Sequence, residues 1–254
     1  MEDNGWHEAS VKIPLPAEKV KNASESNAHH FEVKGLYHRS LIEVIKAGVR
    51  DIAANAFHFK PYRLFWRNPQ HCDAPPERVY SELYNSDAMV EEYERIKAKP
   101  REPGDNLETG IIAIMLWSDS THLTSFGTAS LWPIYLFFGN LTKYARGKPT
   151  SFAAHHLAYI PSLPDSIQDM YKSIFGQPAT QEILTHLKRE LMQAIWRLLL
   201  DDDFMHAYEH GIVIECADGV LRRLFPRFFT YSADYPEKYV SFIYYICPLI
   251  STSI

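Results

Sequence analysis

Seven apolar residues in succession, IIAIMLW (111–117), run directly into Ser118-Asp119-Ser120-Thr121. The run is too short to cross a membrane. It also lacks the polar–apolar alternation of a strand with one wet face, so it reads as a strand buried on both sides. Such a strand needs neighbours, and two further short apolar segments supply them, LWPIYLFFG (131–139) and AHHLAYIP (154–161), with turn residues between. The three read as a meander.

Beyond the meander the period changes. In EILTHLKRELMQAIWRLLLDDDFMHAYEHG, the apolar residues Ile183, Leu184, Leu187, Leu191, Ile195, Leu198 and Leu199 recur at intervals of three and four, and Gly211 stands at the end. This reads as one long helix, with Asp201-Asp202-Asp203 at its solvated end. GIVIECADGVLRRLF then reads as a hairpin turning at Ala217-Asp218-Gly219, and PRFFTYSADYPEK as a last strand ending at Asp234. The order strand, strand, strand, helix, strand is the opening of a ribonuclease H-like fold. The expected class is therefore α+β, a partial ribonuclease H-like core preceded by a helical N-terminal region.

Upstream of the break KPREPGDN, Arg39–Phe57 carries helical spacing with Ser40 as a cap, and residues 77–98 read as one or two polar helices. Between them, HFKPYRLFWRNPQHCDAPPE reads as an irregular, packed connection. Residues 1–30 are polar and unpatterned and read as a disordered arm. The expected organisation is thus an arm over 1–30, a helical region over 31–104, a core over 105–238 and a divergent tail, YVSFIYYICPLISTSI, over 239–254.

Net charge is −5, with 26 Lys and Arg against 31 Asp and Glu. That argues against a protein that coats nucleic acid, which needs a basic surplus, but not against an enzyme whose acidic site sits within a local basic rim. The cysteines, Cys72, Cys216 and Cys247, are three in number and far apart, which fits a reducing, intracellular compartment. MEDNGWHEAS has no basic segment followed by an apolar one, so no signal peptide is expected, and no run reaches the length of a membrane span.

Several carboxylates are candidates for chemistry. Asp119 ends the first apolar strand and Asp234 ends the last. Two carboxylates at neighbouring strand ends offer hard oxygen ligands to divalent cations, which can clamp the oxygens of an in-line phosphoryl displacement. Asp119 is equally explained as an Asx-turn residue among Ser118, Ser120 and Thr121, and Asp234 as a helix N-cap before Pro236 and Glu237. Asp218 is explained by its Asp-Gly turn, although it stays open as the second acid. The histidine pairs at 29–30 and 155–156 do not make a zinc site, because adjacent strand residues point to opposite faces. Two basic clusters, Lys143, Arg146 and Lys148 in one loop and Arg222, Arg223 and Arg227 in another, would hold DNA phosphates if they lie beside the acidic pair. Ordinary solvated loop charge explains them as well.

The stretch LWSDSTHLTSFGTASLWPIYLFFGNLTKYARGKPTSFAAHHLAYIPSLPD resembles the core signature of the Plavaka transposases, fungal cut-and-paste enzymes of the Kyakuja–Dileera–Zisupton group. The likeness runs on through LKRELMQAIWRLLLDDDFMHAYEHGIVIECADGVLRRLFPRFFTYSADYPEK and extends over about residues 31–238. The resemblance implies a ribonuclease H-like core with three acids and Mg²⁺ or Mn²⁺. It also implies DNA transposon ends as substrate, hydrolysis followed by strand transfer, a nuclear location, and compatibility with a homo-oligomer. It makes Asp119 the first acid and Asp234 the second, each as a metal ligand. Past Lys238 the family pattern of a cysteine knuckle and a distant third acid is not met, and the only acid after Asp234 is Glu237. The expectation is a truncated transposase core, inactive alone. The alternative is a transposase-derived protein that binds DNA or protein without catalysis.

Overall fold

The computed structural model describes residues 5–16, 28–71, 73–101, 103–119, 121–122 and 130–232. In chain order these form β1 (His7–Pro14), β2 (His30–His38), α1 (Leu41–Arg50), β3 (Leu64–Trp66), β4 (Glu77–Val79) and α2 (Asp87–Ala98). There follow β5 (Glu108–Ser118), β6 (Thr121–His122), β7 (Ser130–Phe138), α3 (Lys143–Arg146), β8 (His155–Ile160) and α4 (Ser166–Phe175). The chain closes with α5 (Gln181–Leu199), α6 (Asp202–His210), β9 (Ile212–Glu215) and β10 (Leu221–Ser232). The result is a mixed α+β fold around one mostly antiparallel sheet, ordered β1-β2-β8-β7-β5-β10-β9, with β6 paired to β7. β3 and β4 form a separate two-stranded ribbon. No helix among the described residues is long and apolar enough to cross a membrane.

β5 is central and buried on both faces, as its unbroken apolar run predicts. Ile112, Ile114 and Leu116 enter the main core with Leu41, Val44 and Ile45 of α1, Leu187, Leu191 and Ile195 of α5, and Phe204 of α6. Ile111 and Ala113 face a smaller cluster with Tyr84, Met89, Ile96 and Phe225. On its flanks β5 pairs antiparallel with β7 (Ser118 opposite Ile134, Ile114 opposite Phe138) and parallel with β10 (Glu108 opposite Arg222, Trp117 opposite Ser232). β7 pairs antiparallel with β8, so the expected meander is present. Where β7 ends, buried Asn140 stitches the sheet to the segment before the ribbon. Its amide accepts from Ala113 N at 2.8 Å and donates to the carbonyls of Ile111 and His58 at 2.7 and 3.0 Å.

Four expectations are revised. His7–Pro14, inside the stretch read as a disordered arm, is a strand: Val11, Ile13 and Leu15 are buried at every second position, a short alternation easily lost among polar neighbours. The region 31–104 is not wholly helical, since β2, β3 and β4 lie in it, and the main core draws on residues from both sides of position 104. The long helix is two. It breaks at Leu200, and Asp201 caps α6 by accepting from Phe204 N at 2.8 Å, with Asp202 and Asp203 in the first turn where the helix dipole favours them. Finally, the hairpin's second arm and the last strand are one element, β10. It accommodates Pro226 because β9 pairs only with Leu221–Leu224, so no ladder bond is lost on that edge.

Candidate metal and nucleic-acid site at the end of the central strand

The last residues of β5 alternate between two environments. Ser118 is buried, and its hydroxyl shares a 2.8 Å hydrogen bond with the Tyr231 hydroxyl of β10, which ties the ends of the two parallel strands together. Trp117, on the opposite face, is 44% exposed. Asp119 follows one residue past the strand and is half-buried.

An aromatic row runs across the sheet from Trp117. Trp117 lies opposite Tyr135 of β7 with ring centres 5.8 Å apart, and Tyr135 lies opposite His156 of β8 at 4.8 Å, edge to face. His156 Nδ1 and the Tyr159 hydroxyl are 2.7 Å apart, and Trp6 stacks on Tyr159 at 5.1 Å. His155, one residue earlier, is turned into the core against Phe138, where burial lowers its pKa. The pair therefore splits between faces and cannot chelate one zinc ion. Among the described residues no group of three or more His, Cys, Asp or Glu is gathered for a metal.

Of the residues singled out from sequence, the structure brings few to this end. Asp234 lies outside the described residues, two positions past Ser232. Asp218 sits at the other end of β10, held by Arg222 through two 2.8 Å hydrogen bonds that lower its carboxyl pKa to about 2. It has no access to Asp119, because β5 and β10 run side by side for roughly 30 Å between them.

The basic residues are distant too. Arg222 is only 8% exposed and also bonds Glu108 at 3.2 Å, while Arg223 pairs with Asp105 at 2.8 Å. Arg227 is buried against Glu92, the Tyr208 carbonyl and the Tyr208 ring. Lys143, Arg146 and Lys148 follow the end of β7 that lies beside Ala113, not the end beside Ser118. Arg146 donates to the Leu141 carbonyl and pairs with Glu82. The condition that the clusters lie beside the acids is not met: both stand at the start of β5. The thiol of Cys216 is buried and its pKa raised by that burial, so it is a core side chain. Cys72 and Cys247 lie outside the described residues.

Sequence reasoning missed two features. The aromatic row depends on register between strands, which composition does not reveal. The segment KPYRLFWR, read as a packed connection, is largely exposed; its alternation of basic and aromatic residues was the available signal.

No curated protein and no solved structure matches this chain. A family model does, that of the Plavaka transposase, over residues 1–248. The match takes in both the N-terminal stretch and most of the tail that the resemblance had left outside. With nearly the whole length covered, the chain belongs to the Plavaka transposase family.

Proposed function

We propose that this chain carries part of a ribonuclease H-like, DDE-type transposase core, in which Asp119 and Asp234 are the first and second metal-binding acids. Family membership gives the general frame of a DNA-acting, divalent-metal-dependent enzyme. The observation that carries the specific reading is the parallel register of β5 and β10. Trp117 is opposite Ser232, and in sequence Asp119 and Asp234 follow these two residues at the same spacing of two. The strand order β8-β7-β5-β10, three antiparallel strands with a parallel fourth reached through helices, supports the fold assignment.

The described part of the site fits such an ion in kind. Asp119 is a hard oxygen donor, accessible enough for a cation that keeps several of its waters. When bound, divalent ions supply charge stabilisation to the phosphoryl oxygens. The chain's own part is to hold the carboxylates in place. The Ser118–Tyr231 hydrogen bond fixes the ends of β5 and β10 relative to one another, and a displacement of about 1 Å in such positions is enough to lower a rate a hundredfold. Residues 1–254 contain no acid after Asp234 other than Glu237, so this chain alone offers two of the three carboxylates and turns over little or no DNA.

Mn²⁺ binding by calorimetry tests the site, and nicking of supercoiled plasmid tests the activity. The expected result is weak binding that falls tenfold or more, on the order of the loss of a ligand, in Asp119→Asn, with no robust nicking by the parent. Equal Mn²⁺ affinity in the two proteins would remove Asp119 from the site. Strong Mg²⁺-dependent nicking that Asp119→Asn abolishes would overturn the claim of inactivity.

A further inference from the structure

The last turn of α6 reads His206-Ala207-Tyr208-Glu209-His210. His206, Glu209 and His210 fall on one side of the helix, because positions three and four apart are neighbours there. The same order, His-x-x-Glu-His, recurs at zinc sites carried on a helix. Here the two imidazole rings stand with their centres 4.8 Å apart. An ion about 2.0–2.1 Å from one nitrogen of each ring, with bonds near the tetrahedral angle, holds the ring centres about 5 Å apart. The pair therefore already stands at chelating distance. Both side chains are exposed, and Glu209 Oε2 lies 3.7 Å from His210 Nε2.

The pair lines a cavity of about 910 Å³ between α6, β10 and the residues that follow α2, with room for an ion and its waters. Charge says which ions this cavity takes. Among its lining residues, Lys99, Arg101, Arg223 and Arg227 outnumber Asp105 and Glu209. Arg223 pairs with Asp105 at 2.8 Å and Arg227 with Glu92, while Arg101 donates to the Leu107 carbonyl and to Thr109 Oγ1. Lys99 Nζ donates to the Glu209 carbonyl at 3.3 Å. Such a rim offers no net negative field, so it does not suit a hard cation, which depends on carboxylate and other oxygen ligands. A borderline ion is different, because it bonds neutral imidazole through nitrogen and needs no surplus of negative charge.

We propose that His206 and His210 form a zinc site, in which the two imidazoles chelate one Zn²⁺ and water fills its remaining positions. Catalytic zinc keeps three protein ligands, and no group of three is gathered among the described residues. The ion is therefore structural. The turn that carries it also holds β10: the Tyr208 carbonyl accepts from Arg227 at 2.6 Å and the His210 carbonyl from Arg223 at 3.3 Å. Chelation across this turn stiffens the end of α6 on which β10 is fastened. Nothing in this assignment uses Asp119, so the two ideas fail separately.

The test is titration of the full chain with Zn²⁺ alone, followed by calorimetry and by ¹H–¹⁵N spectra of the histidine side chains. At equimolar ion the His206 and His210 rings should shift together. His206→Ala and His210→Ala should each weaken binding by at least the roughly tenfold that even an outer-shell partner costs, and the ring left in each should cease to respond. Zn²⁺ should raise the melting temperature of the parent by mass action and leave that of His206→Ala/His210→Ala unmoved. Asp119→Asn should keep the parent affinity, and excess Mg²⁺ should not displace the ion. Circular dichroism confirms that each variant is folded, and the spectra of the parent decide the matter without any variant. Failure of either ring to respond to Zn²⁺ would overturn the proposal, as would unchanged affinity in the alanine variants or an unmoved melting temperature in the parent. So would displacement by Mg²⁺, or a loss in Asp119→Asn as large as that in His206→Ala, since the ion would then sit at the carboxylates.

Discussion

The two ends of β5 are built on opposite plans. At its start, Glu108 is held by Arg222 and Lys60, the Arg101 guanidinium donates to Thr109, and α2 covers Ile111 on a face sealed by Arg227 and Glu92. At its finish, the same face carries Trp117 and its aromatic row with no helix among the described residues over them, and Asp119 stands just beyond. The charges at the start neutralise one another internally. The carboxyl most displaced from its usual range, Asp218 at about 2, belongs to this structural set, which shows that a perturbed acid need not be a functional one. Arg63 and Arg67 of the ribbon and Lys148 of the α3 loop are among the cations that form no ion pair among the described residues.

If that contrast is sound, stability should be concentrated at the start of the strand. The largest effect is expected from Arg227→Ala, which removes a buried guanidinium bonded to Glu92 and to the Tyr208 carbonyl and leaves Glu92 only its pair with Arg95; it should cost about 3 kcal/mol or more in urea denaturation. Asn140→Ala comes next, at about 3 kcal/mol, because Ala113 N and the Ile111 and His58 carbonyls lose their partner in a buried place. Asp218→Asn should act modestly and only where the carboxylate is charged. Its folded pKa lies below the unfolded value of about 3.9, so the ion pair stabilises above that pH and is lost as pH falls toward about 2. The gap in melting temperature between parent and variant should therefore close across that window. A gap that persists at pH 2 would mean that Asp218 acts through its turn rather than its charge. The smallest change is expected at the open end, where Trp117→Ala should shift stability by no more than about 0.5–1 kcal/mol. A loss as large as that of Asn140→Ala would show that the row is a packed layer and erase the contrast.

Much of the sheet was legible from residue order. The unbroken run of β5, the apolar segments of β7 and β8, the three-four spacing of α1 and α5 and the Asp-Gly turn between β9 and β10 are local signals with local causes. What escaped has causes of other kinds. The alternation of β1 is only three buried residues long amid polar ones. The end of α5 at Leu200 turns on Asp201 preferring to cap the next helix. The ribbon that carries KPYRLFWR is held by Arg78, which lies over the Phe65 and Tyr80 rings and reaches partners as far along the chain as Asp87. Asp119 was found because a carboxylate at the end of an apolar strand is conspicuous. The basic clusters were found as well, yet their distance from Asp119 was not, because it depends on which way β7 and β10 run against β5.

The sequence by itself determined that an apolar strand would end in an acid, that its neighbours would form a meander, and that a helix and a hairpin would come after them. These depend on periodicity and turn chemistry, which act over a few residues. Only the tertiary structure decided that β10 lies parallel to β5, that Arg222 reaches across to Glu108, and that cations and acid occupy opposite ends of one strand. Pairing direction and register are settled by burial of the whole sheet against its helices, and no short segment carries that information.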